Sequence, residues 1–307
     1  MSSTLARSVL LPVLLLLGAC APRATVADEH AGHAMPVADT ARASAVAALD
    51  PALPAGAEEA RARLAASPRH GEWVTVRTGP ADSVRAWVVY PERAERAPVV
   101  LVVHEIFGLS DWIRAVADQL AADGFIAIAP DLLTMQRIPA GPTGEPNPDS
   151  ARARIRALEP ADVHRQLRAV AEYGMARPAA LPQYGIVGFC WGGAVAFAHA
   201  TRVRGLGAAV VYYGTSPEPP ELAAVTAPVL GLYGENDARV NATVPPADSA
   251  MRALGKTFEP HFFAGAGHGF LRQQSGQDGA NLAATRQAWP LTVAWFRRYL
   301  EPGQAPR

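Results

Sequence analysis

The chain has 307 residues, with 28 lysines and arginines against 28 aspartates and glutamates and a formal net charge of zero at pH 7. That balance leaves no field to gather phosphate backbones, so nucleic-acid binding has no electrostatic footprint. Half of the residues are hydrophobic and 18% are charged, which suits a buried core and excludes global disorder. Lys256 is the only lysine, and with the abundance of alanine we read this as composition bias.

Residues 1–19, MSSTLARSVLLPVLLLLGA, place Arg7 ahead of an apolar run over residues 9–19. The run falls short of the roughly 20 residues a bilayer span needs and reads as an export signal. Its end, Leu17-Gly18-Ala19 before Cys20, resembles a bacterial lipobox, in which cleavage leaves lipid on Cys20. Acyl chains contribute about 0.8 kcal/mol per buried methylene, enough to hold the protein on the periplasmic or cell-surface side of a membrane. Cys190 is then alone, without a disulfide framework.

Residues 20–56 carry no helical or strand periodicity and read as a lipid-anchored flexible linker. Asp28, Glu29, His30 and His33 lie within it, and a solvated linker accounts for them better than a metal site. The folded domain is expected over residues 57–307, opening with a short helix over 58–66.

Residues 73–77 and 84–90 alternate as half-exposed antiparallel edge strands. Continuous apolar runs of the buried parallel type follow at 99–103, 125–129, 184–188, 206–212, 229–233 and 260–263. Helical patterns over 111–123, 149–175, 192–202, 247–254 and 282–300 separate them. The alternation predicts an α/β fold, a mostly parallel central sheet with helices on both faces and chemistry at the carboxyl ends of the strands.

After the 184–188 strand comes Gly188-Phe189-Cys190-Trp191-Gly192-Gly193, a nucleophile-elbow pattern with cysteine in place of serine. The glycines two before and two after Cys190 let a strained strand-to-helix turn close. The helix N-terminus there is expected to favour thiolate. Downstream, Gly234-Glu235-Asn236-Asp237 and Gly267-His268-Gly269-Phe270 end the next strands, supplying an acid and a base in the order such folds use. Glu235 rivals Asp237, which stands farther out in the loop. His70, His164 and His199 read as surface or packing residues. At the end of the 99–103 strand stands His104-Glu105-Ile106-Phe107-Gly108, where the Ile106 N–H is expected to form an oxyanion hole with that of Trp191. Glu105, a carboxylate beside the nucleophile, must act or be paired. The glycine pairs at 205/207 and 265/267 lack the strand, helix and acidic residue of a dinucleotide site and read as turns.

These motifs, with Pro130-Asp131-Leu132, resemble the dienelactone hydrolase family of α/β-hydrolases over residues 73–300. The resemblance implies a Cys190–His268–Asp237 triad, with Glu105 holding the resting thiol and accepting its proton once substrate binds. It also implies that Arg272 binds a substrate carboxylate, with Arg152, Arg154 or Arg156 as a second arginine. Trp191 stands where leucine is common in the family. The expected activity is hydrolysis of small ester or lactone substrates through a thioacyl enzyme, by a monomer without cofactor or metal. A peptidase and a non-catalytic surface binding module are the competing readings.

Overall fold

The computed structural model describes residues 50–301. The expected signal peptide, Cys20, and the acidic and histidine residues at 28–33 lie outside the described residues.

β1 (Gly71–Gly79) and β2 (Asp82–Val89) form an antiparallel ribbon, and β2 runs antiparallel to β4 (Ile126–Asp131). From there β3 (Ala97–Val103), β5 (Ala180–Phe189), β6 (Ala208–Tyr212), β7 (Val229–Gly234) and β8 (Phe258–Phe263) continue in parallel. The eight strands lie in the order β1-β2-β4-β3-β5-β6-β7-β8. The mostly parallel sheet and its antiparallel entry are as the sequence predicts.

The helices are α1 (Ala60–Ala65), α2 (Asp111–Ala122), α3 (Pro148–Ile155), α4 (Pro160–Met175), α5 (Trp191–Ala200), α6 (Ala238–Asn241), α7 (Val244–Ala253) and α8 (Ala280–Leu300). Every residue of β3 is buried, and its side chains divide by strand period. Val100 and Val102 join Trp112, Ile113 and Phe296 of α2 and α8, while Val99, Leu101 and Val103 join Leu167, Phe197 and Met251 of α4, α5 and α7. Helices therefore cover both faces, and the loops after the parallel strands gather at one edge.

The helix expected over 149–175 is two helices, a correction with a local cause. Pro160 has no N–H for a helical hydrogen bond and crowds the residue before it, so Glu159 is extended (φ −73°, ψ 124°). Ordered chain also reaches back past residue 57. Leu53 and Ala55 are buried, Trp112 donates its indole N–H to the Ala55 carbonyl at 3.2 Å, and the Gln274 amide donates to the Pro54 carbonyl at 2.9 Å. Residues 50–57 thus form a strap from α2 to the loop that carries His268.

His164 and His199 are packing residues, as expected. Their Nδ1 atoms lie 3.2 Å apart, and His199 Nε2 lies 3.1 Å from the Tyr184 hydroxyl. Burial lowers both imidazoles, to about 4 for His164 and about 3 for His199, so they pack as neutral rings.

Candidate active site

Cys190 caps the N-terminus of α5 with φ 55° and ψ −115°, a conformation side chains rarely adopt. The glycine pattern explains how the turn holds it. A Cβ at Gly188 would lie 1.9 Å from the Gly192 carbonyl oxygen, and one at Gly192 would lie 2.4 Å from the Val103 and His104 carbonyl oxygens. Only bare backbone lets α5 begin this close to β3 and β5, and the Cys190 N–H completes the turn by donating to the Tyr212 carbonyl at 3.1 Å.

His268 and Asp237 meet from separate loops, with His268 Nδ1 2.5 Å from Asp237 Oδ2. Asp237 is buried, at 7% exposure, at the start of α6. Glu235, the rival acid, is exposed and accepts the Gly265 N–H at 3.0 Å, so it braces the loop and leaves the imidazole to Asp237. Asn281 of α8 pins the histidine loop, accepting the Gly267 N–H at 3.0 Å and donating to the Gln273 carbonyl at 2.7 Å. Nothing local in the sequence marks Asn281 for this task.

Glu105 is buried beside Cys190, and Arg272 places its Nε 3.2 Å from Glu105 Oε2. The Nε–H itself has no hydrogen-bond partner, so the contact is one of charge with charge. Burial pushes the Glu105 carboxyl up to about 7, and the Arg272 charge only partly opposes this.

The helix dipole, expected to favour thiolate, does not prevail at Cys190. Burial first, then the negative charge of Glu105, pushes Cys190 up to about 11, while the Trp191 N–H and the Arg239 charge pull the other way. Desolvation outweighs the helix terminus, and the resting sulfur carries its proton.

The loop after β3 is held by His104, a residue to which the sequence reading assigned no role. Its Nε2 accepts the Leu132 N–H at 3.3 Å, so its Nδ1 carries the proton and donates to the Glu105 carbonyl at 2.8 Å. The His104 ring stacks on Trp191, with centroids 5.6 Å apart. Ile106 and Trp191 share an apolar cluster with Ala151 and Ile155 of α3, which fixes the two expected oxyanion residues against one support. Among the described residues, no acceptor is paired with the Ile106 N–H.

Two arginines lean on one aromatic ring. The guanidinium carbons of Arg272 and Arg152 lie 4.8 Å and 5.0 Å from the Phe107 centroid, and both line a cavity of about 390 Å³. Arg154 and Arg156 do not line it.

Residues 84–300 match the model of the dienelactone hydrolase family. The chain belongs to this family. It is 31% identical over 235 residues to a Salmonella typhimurium protein named as a carboxymethylenebutenolidase, a match covering 71% of this chain and 84% of the relative. An Escherichia coli K12 protein of the same name is 30% identical over 235 residues, covering 71% of this chain and 83% of that one. A Klebsiella pneumoniae structure named as a dienelactone hydrolase superposes with a TM-score of 0.66 at 29% identity, covering 75% of this chain and 99% of its own. Family membership makes the chain an α/β-hydrolase-fold enzyme for ester or lactone bonds.

Proposed function

We propose that this dienelactone hydrolase family member cleaves small anionic esters or lactones by acyl transfer to Cys190. The observation that carries the reading is a strained Cys190 at the same sheet edge as the hydrogen-bonded Asp237–His268 pair, with a buried carboxylate, Glu105, beside it.

In the resting enzyme the thiol is protonated and Glu105 faces Arg272. An incoming substrate carboxylate competes for Arg272, and the freed Glu105 takes the thiol proton. The sulfur then attacks the carbonyl carbon, and the resulting oxyanion is held by the N–H groups of Ile106 and Trp191. The C–O bond breaks as His268, which in this scheme enters the cycle as the imidazolium paired with Asp237, gives its proton to the leaving alkoxide. Neutral His268 next takes a proton from water, whose oxygen bonds to the acyl carbon. The C–S bond breaks, and the returning thiolate recovers the proton from Glu105. His268 and Glu105 both end as they began.

The arginine pair makes this reading specific. Arg152 is exposed, pairs with Asp149 at 3.0 Å and is not among the charges acting on Glu105 or Cys190, so its loss is expected to weaken ground-state binding without touching the chemistry. Arg152→Ala is expected to raise KM for a carboxylate-bearing lactone about 10-fold with kcat little changed, while a neutral short-chain ester is unaffected. Equal KM changes for both substrates reject the anionic class and retain the hydrolase.

We also propose export and lipid attachment at Cys20, from the Leu17-Gly18-Ala19-Cys20 pattern. Labelled fatty acid is expected to enter the wild-type chain, and Cys20→Ser is expected to move the protein from the membrane to the soluble fraction. A mature N-terminus at another residue, read by mass spectrometry, rejects the proposal.

A further inference from the structure

The strap over residues 50–57 ends on the loop that carries both His268 and Arg272. Within that loop the N–H groups of Arg272 and Gln273 donate to the Gly269 carbonyl at 3.0 Å and 2.9 Å, which makes a turn beside the histidine. The Arg272 carbonyl is held from outside the loop, accepting the Ala57 N–H at 2.9 Å. The Gln274 amide nitrogen donates to the Pro54 carbonyl at 2.9 Å and to the Leu271 carbonyl at 3.1 Å. The strap therefore grips the chain at Arg272 itself and again two residues later.

The strap is firmly seated. Leu53 and Ala55 are buried, and Trp112 and Gln119 of α2 donate to the Ala55 and Pro51 carbonyls, each at 3.2 Å. Arg63 of α1 donates to the Leu53 carbonyl at 3.1 Å. Between the strap and the loop lies a cavity of about 540 Å³, bordered by Ala57, Glu58 and Glu59 on one side and Gln273, Gln274 and Ser275 on the other. With open space on that side of the loop, hydrogen bonds and not close packing set where its backbone stands.

The Arg272 side chain depends on that backbone. Its Nε lies 3.2 Å from Glu105 Oε2 but its Nε–H has no hydrogen-bond partner, and its guanidinium carbon lies 4.8 Å from the Phe107 centroid. Charge and ring contacts of this kind weaken gradually with distance and hold a side chain less sharply than a directional bond. We propose that the strap, through the Ala57 N–H and the Pro54 carbonyl, positions Arg272 and so sets where its guanidinium meets Glu105 and the substrate carboxylate. This inference rests on the reading of Arg272 as a binder of anionic substrates.

The test uses Ala57→Pro and, separately, Gln274→Met in the full-length protein. The first removes the N–H donated to Arg272, the second the amide donated to Pro54. In each, KM for a carboxylate-bearing lactone is expected to rise roughly 5-fold, the scale of one hydrogen bond, with KM for a neutral short-chain ester unchanged. The acid limb of turnover is the second readout. The ionisable groups that interact with Glu105 are Arg272, the Cys190 thiol and the Tyr213 phenol, and burial keeps the last two neutral at rest. The Arg272 charge lowers the Glu105 carboxyl, so a displaced Arg272 moves the acid limb to higher pH. KM and the position of the limb do not depend on how much of the protein is folded, so a lower melting temperature does not mimic either change. Both changes should vanish in an Arg272→Ala background. Equal KM changes for the two substrates, an unmoved acid limb, or effects that persist without Arg272 overturn the proposal. If Arg272→Ala alone leaves the ratio of the two KM values as in wild type, the anionic-substrate reading fails, and this inference fails with it.

Discussion

Cys190→Ala is expected to abolish ester and lactone hydrolysis, with a loss on the order of 10⁴-fold or more, the scale seen when a nucleophile acting as part of a unit is removed. The reason is geometric. Cys190 is the one cysteine among the described residues, and the elbow backbone that presents it, with φ 55°, is closed by Gly188 and Gly192 against β3 and α5. No other nucleophilic side chain occupies that turn. Alanine keeps the Cβ and the backbone strain, so the fold should survive, with circular dichroism and melting temperature close to wild type. Alkylation of the wild type at one equivalent on Cys190, measured in a Cys20→Ser background, should inactivate it in parallel. Undiminished turnover by the alanine variant would falsify the thiol mechanism, whatever the family.

Glu105→Gln carries the second largest expected effect, and its signature is two changes of opposite sign. Glu105 is buried, its carboxyl sits at about 7, and its charge is among the causes that push the Cys190 thiol up to about 11. Glutamine keeps the shape but neither accepts a proton nor repels a negative sulfur. If Glu105 is the proton acceptor, turnover should fall roughly 10²-fold or more, the usual scale for a general base. Resting alkylation of Cys190 should become faster at neutral pH, because one cause of the raised thiol has been removed. The sign of the pH dependence follows from the same group. Wild-type turnover should decline as pH falls through about 7, where Glu105 becomes protonated in the free enzyme, and that acid limb should be missing in the variant. A plain anchoring role through Arg272 predicts instead a lower melting temperature, near-normal turnover per folded molecule and an unchanged acid limb.

Keeping the thiol protonated at rest also has a chemical use. Oxidation of cysteine follows thiolate character and exposure. A nucleophile with no second cysteine among the described residues to resolve a sulfenic acid is better protected when burial and Glu105 suppress the anion until substrate arrives.

Much of this enzyme is legible in its sequence. The period-two and continuous apolar runs define the strands and their order of alternation with helices, because burial of one or both faces of a strand dictates its pattern. The elbow is legible because its steric demand is local, falling on Gly188 and Gly192 within a few residues of Cys190. Position at strand ends is enough to nominate Asp237, His268 and Glu105, since a parallel sheet brings all its carboxyl ends to one edge. What lay beyond the sequence depends on distances between segments far apart in the chain and on exclusion of water. That Arg272 faces Glu105, and that Arg152 alone of three arginines shares Phe107, are outcomes of loop packing. The direction of the thiol does not follow from the helix terminus alone, because desolvation is set by the elements packed around the sulfur.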